Sequence, residues 1–125
     1  MTIDLTLLKE FYFAPVADGN RGLMDQLRQL REIDVRNDGQ VHQAIEALEI
    51  ISNRLPWWIA PFRESIDEED MECFLEMYRK HLFRIKKFEG VCFERTEISF
   101  RMCMRMLRVI FGVLYEVFDG GGGLP

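Results

Sequence analysis

The chain has 125 residues, of which 48% are hydrophobic and 30% charged, and its formal net charge at pH 7 is −5. This composition argues against a disordered chain, and the length predicts one domain, which we place at residues 1–119. An acidic protein of this kind is not a general binder of polyanions.

The charge is nevertheless unevenly distributed. Residues 1–78 carry seven basic and sixteen acidic side chains, a net charge of −9, whereas residues 79–108 carry nine basic and three acidic ones, a net charge of +6. The two regions could neutralise each other by packing side by side, or the basic one could attract an anionic ligand locally.

The first two helices follow from apolar spacing. Leu5, Leu8 and Phe11 predict a short helix from about Asp4 to Phe13, ended by Pro15. After an Asp-Gly-Asn turn, a second helix has an apolar stripe, formed by Leu23, Leu27, Leu30 and Ile33.

The third helix begins after Asn37 or Asp38, either of which can serve as its N-cap, and we expect it to end near Arg54. Pro56 and Pro61 disfavour helix at the residues before them, so the segment 56–62 is predicted to be a turn or short helix that covers one end of the bundle.

The fourth helix is predicted from about Glu68 to Phe88, with Ser65 or Asp67 as its cap. Acidic residues at its start and basic residues at its end both interact favourably with the helix dipole. The last helix, about Arg95 to Phe118 with an end near Asp119, is apolar on nearly every side, which is typical of a buried helix.

No segment shows sustained alternation, so we predict an all-α fold, a compact bundle of five to six helices packed around the hydrophobic C-terminal helix. Residues 120–125 are expected to form a flexible Gly-rich tail, because glycine disfavours helix.

Two rows of basic residues are candidate sites for an anion or a nucleic acid. Arg101, Arg105 and Arg108 follow i, i+4, i+7 spacing on the last helix, and Lys80, Arg84 and Lys87 repeat it on the fourth. Arginines at one-turn spacing can bind successive phosphates. The alternative is that the rows are solvated, or are paired with the acidic residues of 64–76.

The candidate partner-binding residues are large aromatics and acids. Trp57 and Trp58 are adjacent, so a helix would point them about 100° apart and could expose one while burying the other. The start of the fourth helix adds three acids, Glu68, Glu69 and Asp70.

The segment from Arg36 to His42 resembles the arginine–polar–spacer–histidine motif of HEPN ribonuclease domains, which are small helical bundles. The resemblance covers seven residues, and Gly39 interrupts it. It implies that Arg36 and His42 cleave RNA, with Asn37 as the accompanying polar residue.

Cysteine and histidine content predicts neither a metal site nor a cofactor. Cys73, Cys92 and Cys103 have no zinc-ligand or disulfide-framework spacing, which favours free thiols and a cytoplasmic location. The apolar run from Val109 to Tyr115 is far shorter than a membrane span, so we expect no membrane association.

These patterns favour a non-enzymatic interaction protein, an adaptor or inhibitor that binds another protein and forms a homodimer. A nucleic-acid-processing enzyme is one class of partner that its charged surface would suit. The first alternative is a small nucleic-acid-binding subunit of a nucleoprotein complex, and the second is the ribonuclease.

Overall fold

The computed structural model describes residues 3–14 and 17–122, with residues 17 and 118–122 described by their backbone. These residues form five α-helices and two 3₁₀ helices, with no strand among them, which confirms the predicted all-α bundle. The α-helices are α1 (Leu5–Glu10), α2 (Arg21–Arg31), α3 (Asp38–Ile59), α4 (Glu68–Phe88) and α5 (Phe93–Gly122), and the 3₁₀ helices are Ala17–Asn20 and Ala60–Ser65.

Helix α1 is shorter than the sequence predicts. Asp4 caps it by accepting the Leu7 N–H at 3.0 Å, but the backbone becomes extended at Phe11. The Phe11 carbonyl accepts hydrogen bonds from Trp58 Nε1 at 3.0 Å and Arg54 Nη2 at 3.1 Å, so a distant helix sets this end. Pro15, where we expected the helix to end, lies outside the described residues.

Helix α3 is longer than predicted. It begins at its expected cap, where Asn37 Oδ1 accepts the Gln40 N–H, but it passes through Pro56 and ends at Ile59. The proline removes one helical hydrogen bond. Continuing the helix buries Leu55 and Trp58, and that burial offsets the loss.

Helices α4 and α5 form a hairpin with a short connection. Asp67 caps α4 by accepting the N–H groups of Glu69 and Asp70, and the helix spans the predicted residues. Gly90 has a φ of 72°, a left-handed conformation that favours glycine, so it allows the sharp turn into α5. Helix α5 continues to Gly122, past the expected end near Asp119, while residues 123–125 lie outside the description.

The core is formed by side chains from all five α-helices. Burying one of its aliphatic side chains fully stabilises the fold by about 1.5–3 kcal/mol. The most buried side chains include Leu8, Leu23, Leu30, Leu48, Ile51, Tyr78, Ile85, Leu107, Ile110 and Leu114. Within the described part of the chain, no helix has both the length and the apolar character needed to cross a bilayer.

Candidate functional site

An open groove lies between α2 and α5. Helix α2 packs mainly on α1, and α5 packs mainly on α4, so the two helices border a space of about 690 Å³. Its floor is apolar and includes five half-buried side chains, which are Met24, Leu27, Ile33, Val35 and Met104. Buried Phe100, Leu107 and Phe111 lie beneath them.

Five exposed arginines surround this floor. The α5 wall holds the predicted row of Arg101, Arg105 and Arg108, and the α2 wall adds Arg28 and Arg31. The groove therefore combines an apolar surface with concentrated positive charge.

Two of the five arginines are paired within their own helix. Arg101 Nη2 lies 2.9 Å from Glu97 Oε1, and Arg28 Nη1 lies 3.4 Å from Asp25 Oδ1. Among the described residues, the other three have no carboxylate within salt-bridge distance; they are Arg31, Arg105 and Arg108. An anionic ligand would therefore meet guanidinium groups that are still free to pair.

The basic row of α4 lies elsewhere. Lys80, Arg84 and Lys87 are exposed, but none of them lines the groove. Helix α4 meets α5 on another side, where the Cys103 thiol points to the Tyr78 carbonyl at 3.8 Å. The sequence predicted both rows, but it missed Arg28 and Arg31, because their spacing alone does not show which helix lies opposite.

The two tryptophans have different environments. Trp57 is 66% exposed, whereas Trp58 is 2% exposed. The Trp58 ring lies edge-on to Phe11 and Phe13 and is tilted against Phe111. Both tryptophans are predicted partner-binding residues, but the bundle core covers the Trp58 ring, which is therefore not accessible at the surface. Trp57 remains available at the surface.

Two exposed rings, Trp57 and Tyr12, lie beside the half-buried Arg54. The Arg54 guanidinium carbon lies 5.0 Å from the centre of the Tyr12 ring and 5.8 Å from that of Trp57. Arg54 also donates to the Phe11 carbonyl, so the contact fixes its position. Cation–π contacts of this kind contribute about 0.5–1 kcal/mol at exposed sites.

The acids at the start of α4 are exposed, as a partner-binding surface requires. Glu68 pairs with Arg63 Nε at 3.1 Å, while Glu69 and Asp70 lie in the first turn. Glu68, Glu72 and Glu76 border a second groove, of about 640 Å³, with an apolar floor that includes Ile59, Ile66, Met71 and Leu75. Arg63 and Arg79 also line this second groove, so its charge is mixed, whereas the charged residues that line the groove between α2 and α5 are all arginines.

The residues of the ribonuclease-like motif each have a local partner. The Arg36 guanidinium lies over the Phe93 ring at 4.9 Å, and Asn37 caps α3. The exposed His42 ring lies between two carboxylates, with Nε2 at 3.6 Å from Glu46 and Nδ1 at 3.7 Å from Glu89.

Three buried titratable groups belong to the core. Burial raises the pKa of the Cys103 thiol, and it also raises the pKa of Tyr78, whose hydroxyl donates to the Leu48 carbonyl. Burial, with the nearby charges of Arg84 and Lys80, lowers the pKa of His81. Within the described chain, no group of three His, Cys, Asp or Glu side chains could hold a metal ion.

Comparison with protein-family models, with curated proteins and with solved structures gave no match. The functional argument therefore depends on the geometry of the groove and on the charges around it.

Proposed function

We propose that this chain is a non-enzymatic protein-interaction module, an adaptor or an inhibitor, that binds another protein through its charge-polarised helical surface. The observation that supports this function is the groove between α2 and α5. It combines an apolar floor with five exposed arginines, and protein interfaces often join an apolar centre to a charged rim. Arginine is also enriched among the residues that dominate binding energy.

The floor favours a protein over a nucleic acid as the ligand. Nucleic-acid sites rely on phosphate contacts and on aromatic faces that stack against bases. Here the half-buried floor includes Met24, Leu27 and Met104. Of the aromatic side chains that line the groove, Phe100 and Phe111 are buried and Tyr115 is half-buried. Such a surface gains more from an apolar side chain of a partner than from a sugar–phosphate backbone.

Affinity capture with matched charge variants tests this function. In one variant Arg101, Arg105 and Arg108 are replaced by Glu, and in the control Lys80, Arg84 and Lys87 are replaced by Glu, so both change the net charge by the same amount. We expect the wild type and the control to retain the same bound proteins and the groove variant to lose them. Equal capture by all three forms, or none by any, would contradict the proposal.

Two further measurements separate the alternatives. Sedimentation of the purified chain determines whether it forms the homodimer that we propose. A labelled single-stranded DNA probe tests the nucleoprotein alternative. Affinity that falls steeply with salt and disappears in the groove variant would favour that alternative over a protein partner.

A further inference from the structure

We infer that the groove between α2 and α5 is a docking site for an amphipathic helix of a partner protein, one that carries a row of Asp or Glu residues beside an apolar stripe. This inference rests on the proposed function and adds the chemistry of the partner.

The spacing of the arginines matches a helix. Arg101, Arg105 and Arg108 are separated by one turn each, so their row extends about 10 Å along the groove. Carboxylates at the same spacing on a partner helix would lie opposite successive guanidinium groups, and each could form a charge-assisted hydrogen bond. A small anion with a single charged group would leave most of the row unused.

Arginines that can still pair with a carboxylate lie on both walls of the groove. Arg31 on α2 and Arg105 and Arg108 on α5 have no carboxylate partner within the described residues. A helix seated between the walls would bring acidic side chains to both. Its acids would also reduce the repulsion among arginines that the bundle holds close together.

The floor accepts the apolar stripe of such a helix. Met24 on α2 and Met104 on α5 line opposite walls and are half-buried, as is Leu27 on α2. Methionine is flexible and polarisable, and it is common where a groove adapts to an apolar helix face. Covering these side chains would remove the remaining apolar surface of the groove from water.

A second copy of the chain is a poorer occupant. Its own acidic row, Glu68, Glu72 and Glu76, borders a groove, so a copy would present a concave surface to a concave surface. An acidic helix of another protein presents a convex surface, which is complementary to the concave groove.

A synthetic helix provides the direct test. The probe is a fluorescein-labelled peptide of about 18 residues, with Glu at i, i+4 and i+7 beside a stripe of Leu. Its control has Gln in place of each Glu and the same Leu stripe. Fluorescence anisotropy is measured at low salt with the wild type and with two triple variants, in which Gln replaces either Arg101, Arg105 and Arg108 or Lys80, Arg84 and Lys87.

We expect the Glu peptide to bind the wild type and the α4 variant alike, and to bind the groove variant at least about tenfold more weakly. We expect the Gln peptide to bind the wild type at least about tenfold more weakly than the Glu peptide. A Met104→Gln variant, which makes the floor more polar and leaves its charge unchanged, should also weaken the binding of the Glu peptide. Circular dichroism of each variant confirms that its helices are intact.

Several results would overturn this inference. They are no binding of the Glu peptide, equal binding of the Glu and Gln peptides, an equal loss in both triple variants, and tighter binding of a single-stranded DNA probe at the same salt concentration. Self-association of the wild type that disappears in the groove variant would identify a second copy as the occupant instead. If the peptide fails but affinity capture still depends on the arginines, the partner chemistry is wrong and the interaction function stands.

Discussion

The two sides of α5 differ in how completely they are packed. On the side towards α4, Cys103 is fully buried and its thiol points to the Tyr78 carbonyl. On the side towards α2, the next residue, Met104, is only half-buried and lines a groove surrounded by arginines. The packed side contributes to the stability of the bundle, and the open side leaves apolar surface and charge uncompensated.

This difference predicts that changes on the two sides have separate effects, on stability for the packed side and, under the proposed function, on binding for the open side. A change on the packed side should lower the free energy of unfolding. A change on the open side should alter binding and leave the free energy of unfolding nearly unchanged.

The largest effect is expected from Trp58→Ala. The ring is buried against Phe11, Phe13 and Phe111, and its Nε1 donates to the Phe11 carbonyl. Its removal should lower the free energy of unfolding by about 3–5 kcal/mol. Trp57→Ala is the matched control and should cost about 1 kcal/mol or less, because that ring is mostly exposed. Urea denaturation followed by circular dichroism measures both, and similar losses would show that the described burial is wrong.

A smaller effect is expected from His81, which lies on the packed side of α4. Its pKa is lowered by burial and by Arg84 and Lys80, so between pH 6.5 and the lower folded-state pKa the unfolded chain binds more protons than the folded one. The contribution of His81 is therefore complete above pH 6.5 and is lost as the pH falls through the folded-state value.

Denaturation of the wild type at pH 7.5 and at pH 5.5 should thus show a loss of stability at the lower pH. His81→Gln should reduce that loss. A pH dependence identical in the wild type and in this variant would exclude His81 as its source.

The sequence predicts the elements of this fold better than their ends. Helix α4 spans the predicted residues because its cap, Asp67, and its turn, Gly90, are local signals. The ends of α1 and α3 depend on a contact between Phe11 and Trp58, which are 47 residues apart. Local periodicity contains no information about such a contact.

The α5 wall of the candidate site could be predicted from the sequence, but the α2 wall could not. The row of Arg101, Arg105 and Arg108 follows directly from helical spacing, and all three side chains are exposed. The α2 wall, with Arg28 and Arg31, could not be predicted because it depends on which helix packs beside α5. The same spacing made the α4 row an equal candidate, although it lies outside the groove.

The arginines of α5 are expected to have the smallest effect on stability and the largest effect on binding. Replacing Arg105 and Arg108 with Gln removes two exposed guanidinium groups that have no carboxylate partner in the described chain. The free energy of unfolding should therefore change by no more than about 0.5 kcal/mol, and at low salt it should rise slightly because like charges no longer repel each other. Denaturant midpoints at low and high salt measure this, with Lys80→Gln and Arg84→Gln as the matched pair. A loss of more than about 1 kcal/mol in the free energy of unfolding would mean that the arginines stabilise the bundle itself. Partner binding would then no longer be needed to explain why they lie together.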